Sequence, residues 1–156
     1  MREIKFRGWD KDTERWYYGS YVRLERTTPY PMSQFPEEDK KKFEDEQVDH
    51  YIFFTEMNDW GLETKKLRAS VDPKSVGQYT GLKDNNRVEI WEGDVVRLSD
   101  DQDYLVDWSD GGAYFHLIGR DDEIPNGGDR LLVARLGWIE IIGNIYDNPE
   151  LFKKAA

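Results

Sequence analysis

Polar and apolar residues alternate along much of this chain with a period of two, the spacing of a half-buried β-strand. Ile4 and Phe6 alternate with Lys5 and Arg7, Asp10-Lys11-Asp12 marks a turn, and Trp16 to Val22 is aromatic and β-prone. Residues 4–22 therefore predict a hairpin. Gly8 and Gly19 interrupt its strands and predict bulges or close backbone approach. Strand signals resume at Tyr51-Ile52-Phe53-Phe54, and a turn falls at Asn58-Asp59-Trp60-Gly61. Leu67, Ala69 and Val71 then alternate with Arg68 and Ser70 until Asp72-Pro73 breaks the pattern. Residues 25–49 have a different character. Pro29, Pro31 and Pro36 punctuate them, and residues 37–46 are nearly all charged. This charged insertion reads as an exposed loop or a short helix opening at Pro36.

The second half continues in short strands. Glu92-Gly93-Asp94 is a tight turn feeding Val95 to Leu98. Tyr104 to Trp108 leads through Ser109-Asp110-Gly111-Gly112 into a returning strand, Ala113 to Ile118. A polar loop over 119–130 precedes strands at Leu131 to Leu136 and Trp138 to Tyr146. Asn148-Pro149 then opens a helical turn. Strands spaced about eight to twelve residues apart mark a small barrel or sandwich. The expected fold class is mainly β, a small β-barrel architecture with short peripheral helical segments. Residues 1–156 form one domain in this reading, with an N-terminal β subdomain over 1–90 and a barrel over 91–150.

Composition changes the picture in three ways. Only 38% of residues are hydrophobic, but six Trp, nine Tyr and seven Phe supply large buried areas per residue, enough for a core. No cysteine is present, which removes disulfides, thiolate nucleophiles and Cys-based metal sites. No run approaches the roughly eighteen apolar residues of a membrane helix, and the N-terminus begins strand-like without an apolar signal region. A cytoplasmic protein without membrane contact is expected. The net charge is −10, and residues 92–130 alone carry −8. Duplex binding relies on Lys and Arg to neutralise phosphates, so this balance disfavours nucleic acid as a partner.

The sequence resembles the YopX family of phage- and prophage-encoded proteins. The resemblance rests on Lys5-Phe6-Arg7-Gly8-Trp9-Asp10, on Val76-Gly77-Gln78-Tyr79-Thr80-Gly81-Leu82-Lys83-Asp84, on Ile90-Trp91-Glu92-Gly93-Asp94-Val95-Val96 and on residues 142–151. Trp91 stands where Tyr or Phe is expected. The resemblance implies an all-β fold, an SH3-like barrel in the C-terminal half and an origin in phage-derived DNA. It carries over no catalytic residue.

Candidate chemistry concentrates in a few places. Gln78, Tyr79 and Thr80 form either a binding lip or a turn whose Tyr79 and Leu82 plug the core. Glu92-Gly93-Asp94, with Glu89 nearby, has the composition of an acid–base or metal site but also of a charged turn. Asp100, Asp101, Asp103, Asp107 and Asp110 crowd one hairpin without the spacing of a calcium loop. His50 and His116 are the only histidines, and without cysteine they make no ordinary zinc site unless two carboxylates join them. His116, between Phe115 and Leu117, belongs on the outer barrel face. Trp108 and Tyr114, beside acidic loops, match the aromatics with which small barrels take Pro-rich or cationic peptides.

The leading expectation is a non-enzymatic module, without cofactor or metal, whose tentative contact residues are Gln78, Tyr79, Thr80, Asp94, Trp108 and Tyr114. Its partner is another protein or its own copies. The alternatives are a nucleic-acid-associated protein and a hydrolase built on Glu89, Glu92 and Asp94. The second of these three readings comes in two forms: an acidic DNA mimic, or a single-strand binder using the basic hairpin beside exposed Trp9 and Trp16.

Overall fold

The protein is seen in a computed structural model that describes residues 3–25, 48–57, 63–119 and 138–152. Within them lie ten strands and two single-turn 3-10 helices. The chain forms two compact units, Lys5–Val76, and Gly77–Ala156 together with Met1–Ile4.

The N-terminal unit holds β1 (Phe6–Asp10), β2 (Arg15–Glu25), β3 (Val48–Met57) and β4 (Glu63–Ser70) in the antiparallel order β4-β3-β2-β1. The expected hairpin is β1–β2, with Phe6 opposite Gly19 and Asp10 opposite Arg15. Its turn is set by Asp10, whose buried carboxylate accepts the Asp12 and Thr13 amides at 2.8 and 3.3 Å. Side chains of one face build the core, where Ile52, Ala69 and Val71 meet Phe6, Tyr17, Tyr21, Phe54 and Val76. Close approach, not a bulge, explains the two strand glycines. A Cβ on Gly19 would run into the Phe53 carbonyl oxygen, and one on Gly8 would meet the Val71 side chain. Asp72-Pro73 does end the ladder, as a 3-10 turn over Pro73–Ser75 that Asp72 caps through the Lys74 amide.

The C-terminal unit holds β5 (Gly77–Lys83), β6 (Glu89–Trp91), β7 (Asp94–Leu98), β8 (Asp103–Ser109), β9 (Tyr114–Gly119) and β10 (Ile139–Asn144). β5 pairs with β6, and the others form an antiparallel sheet ordered β10-β7-β8-β9. Its core is Ile90, Val96, Leu98, Tyr104, Val106, Phe115, Leu117 and Ile139, with Leu82, Trp108 and Ile141 packed against it. This core draws on Leu82 and Ile90, and the compact unit begins at Gly77.

The mainly β expectation holds, but the barrel does not appear in the described residues. β9 and β10 are the two outer strands of the four-stranded sheet, and no described strand pairs one with the other. The strand expected over 131–136, the polar loop, the charged insertion between the ends of β2 and β3, and the turn at 58–61 lie outside the described residues. Among the described residues the helical segments are two 3-10 turns, at Pro73–Ser75 and Pro149–Leu151. Among the described residues no helix is long and apolar enough to cross a membrane.

Candidate functional site

Four of the six candidate residues meet on the β5–β6–β7 turn, and each has a structural task there. The Gln78 amide donates to Glu92 Oε2 at 3.2 Å, and its carbonyl accepts the Glu92 amide at 2.9 Å. Tyr79 is buried opposite Trp91, the two ring centroids 5.3 Å apart. Thr80, also buried, donates from its hydroxyl to the Ile90 carbonyl at 2.8 Å and accepts the Leu82 amide. Asp94 is only 2% exposed, and its carboxylate accepts the Trp91 amide at 2.8 Å. Gly93, at a φ of 84° that disfavours any side chain, closes the turn between them.

Asp84, the last residue of the central run, works the same way. One carboxylate oxygen accepts the Asn86 and Val88 amides, both at 2.8 Å, and the other faces the Ile141 amide at 3.4 Å. The same turn reaches β10 through Asn85, which exchanges two hydrogen bonds with Ile139. Asp10, Asp84 and Asp94 are thus buried carboxylates that hold turns by accepting backbone N–H groups, the strong, charge-assisted kind of hydrogen bond.

Trp108 and Tyr114 lie apart from that turn, on the β8–β9 hairpin. Trp108 packs edge-on against Phe115 at 4.9 Å in the core, and Tyr114 stands half-buried against His116. His116 lies on the face opposite Phe115 and Leu117, where its Nε2 is 3.4 Å from Asp107. The hairpin acids are spent separately. Asp100 accepts the Tyr104 hydroxyl, and Asp103 holds Arg97 at 2.8 Å, which raises the Arg97 pKa further above its ordinary value. No three of the His, Asp and Glu side chains among the described residues come together as a metal site.

The basic hairpin also differs from expectation. Trp9 and Trp16 are half-buried, packed edge to face at 5.7 Å, and the Arg7 guanidinium covers the Trp16 ring at 4.9 Å. The exposed rings are their neighbours. Tyr18 is 52% and Phe53 37% exposed, and they line an open groove of about 460 Å³ with Gly19, Ser20, Phe54 and Thr55. This groove was missed in the sequence, although a signal for it exists. Consecutive aromatics at 16–18 and 53–54 put rings on both faces of a strand, and a single core covers only one face.

Asp10, Asp84 and Asp94, with Gly8 and Gly93, fall within the runs that carry the family resemblance, and the model of the YopX protein family matches residues 5–153. This chain belongs to the YopX family. A solved structure, the crystal structure of protein EF1440 from Enterococcus faecalis, is 19% identical over 98% of this chain and 100% of its own, with a TM-score of 0.49. A search of curated proteins finds no match. Within this YopX chain, then, the residues of the central runs secure turns, while the exposed aromatic groove lies on β2 and β3.

Proposed function

We propose that this YopX-family protein is a non-enzymatic binding module whose contact surface is the outward face of its N-terminal sheet, centred on Tyr18 and Phe53. The observation that carries the reading is the groove itself. Two large rings on adjacent strands stand open to solvent beside the Ser20 and Thr55 hydroxyls. Rings of this kind give contact area at low entropic cost, and hydroxyls adapt their hydrogen bonds to a partner. The assignment to a phage-derived role in the bacterial cytoplasm is part of the same proposal.

The test is a fragment screen by nuclear magnetic resonance, using small aromatic and aliphatic compounds. Binding surfaces concentrate their affinity in a few aromatic hot spots, so perturbed resonances should cluster at Tyr18, Ser20, Phe53 and Thr55. Clustering elsewhere, or shifts scattered without a focus, would refute the assignment.

A further inference from the structure

We infer that the Tyr18–Phe53 face takes a single strand of nucleic acid, with bases stacked on the two rings and a phosphate met by Arg68. This rests on the reading of that face as a contact surface and adds its occupant. The ladder across the sheet carries the inference. Ser20 pairs with Phe53, and Phe53 pairs with Arg68, so these three side chains share a face. On the other side of the groove Tyr18 pairs with Arg7. The Arg68 guanidinium lies 4.7 Å over the Tyr51 ring, and Tyr51 meets Phe53 edge-on at 6.4 Å. Arg68, Tyr51 and Phe53 thus neighbour one another on the same face.

Charge selects among occupants. The chain carries ten more acids than bases, yet the row Ser20–Phe53–Arg68 ends on an exposed arginine and contains no acid. A groove for a cationic peptide would present carboxylates beside its rings. Aromatic faces beside arginine and hydroxyl groups suit unpaired bases and their phosphates, because every base offers a π face. A duplex keeps its bases stacked on each other and offers the rings no open base face. Ser20 faces Phe53, which puts Tyr18 one ladder step away on the diagonal. That separation is about 7–8 Å between backbone positions, so adjacent bases of an opened strand can each take one ring.

The experiment is fluorescence anisotropy with labelled oligothymidylate and oligouridylate of about twelve nucleotides, in about 50 mM salt. Saturable binding is expected. Tyr18→Ala and Phe53→Ala should each weaken it by about 5- to 150-fold, the value of one stacked base. Tyr18→Trp should keep it, and Tyr18→Leu, with apolar bulk but no π face, should lose it like Tyr18→Ala. Arg68→Gln should reduce the slope of log affinity against log salt by about 0.7. Both rings face solvent, so circular dichroism and the thermal midpoint should stay unchanged in these variants. Absence of saturable binding, or binding indifferent to both alanine variants, overturns the proposal. So does competition by thymidine monophosphate at concentrations matching the strand, since the site would then be one for single nucleotides. If no strand binds while fragments or a proline-rich peptide still shift Tyr18 and Phe53, the occupant is wrong and the contact surface stands. If neither binds there, both readings fall.

Discussion

Replacing Asp84 by alanine should be among the most damaging single changes in the C-terminal unit. Its carboxylate accepts two amides at 2.8 Å and faces a third at 3.4 Å. Hydrogen bonds to a charged group contribute about 1.5–3 kcal/mol each, and a buried donor left without its acceptor adds a desolvation penalty. Two strong bonds set an upper figure of about 6 kcal/mol. Asn86 and Val88 are exposed residues whose amides can turn to water, so a loss of about 3 kcal/mol is the better expectation. Asp84→Asn keeps a neutral acceptor for the two short bonds and should cost about 1–1.5 kcal/mol. Urea unfolding followed by tryptophan emission measures both, Trp91 and Trp108 reporting from the same unit. With a slope of about 2 kcal/mol per molar, the midpoint should fall by about 1.5 M for alanine and about 0.6 M for asparagine, the slope itself unchanged. An alanine variant within about 0.5 kcal/mol of the parent, or an asparagine variant as damaged as alanine, would refute the assignment of Asp84 as a turn-holding acceptor.

Other outcomes follow from the N-terminal unit. Ile52, fully buried in its core, should lose about 2–5 kcal/mol on truncation to alanine, read by chemical denaturation. Gly19→Ala should weaken the β2–β3 ladder far more than a surface substitution, because the new methyl meets the Phe53 carbonyl and backbone yields poorly. Loss of amide protection at Val22 and Phe53 in hydrogen exchange would show it, and unchanged protection would contradict it. Tyr21 hydrogen-bonds His50 at 2.6 Å, and burial pushes its pKa above the ordinary 10.0, with Arg23 opposing in part. The unfolded chain then ionises first, so stability should fall as pH rises past that value. Tyr21→Phe should remove this share of the alkaline decline, and the ultraviolet tyrosinate titration should lose one group that ionises above the ordinary value.

Much of the scaffold was legible because strand pattern is local. Alternation at 4–7 and 67–71, glycines where no Cβ fits, and Asp72-Pro73 as a stop all act over a few residues, and each has its counterpart in the fold. The central runs were also legible as turns, since Gly93 demands its backbone angle and Tyr79 and Leu82 are apolar plugs. The roles of Asp84 and Asp94 were harder to see. A carboxylate in a turn looks the same in sequence whether it binds a metal or accepts amides, and only the folded backbone decides which donors surround it.

The sequence by itself determined that this is a mainly β chain of the YopX family, because a period of two and the turn residues of the central runs need no distant partner. Tertiary structure alone decided which rings are covered. Trp9 and Trp16 pack on each other while Tyr18 and Phe53 remain open. Their exposure depends on cross-strand register and on which sheet face the core occupies, both set by pairings such as Ser20 with Phe53, between residues distant in the chain.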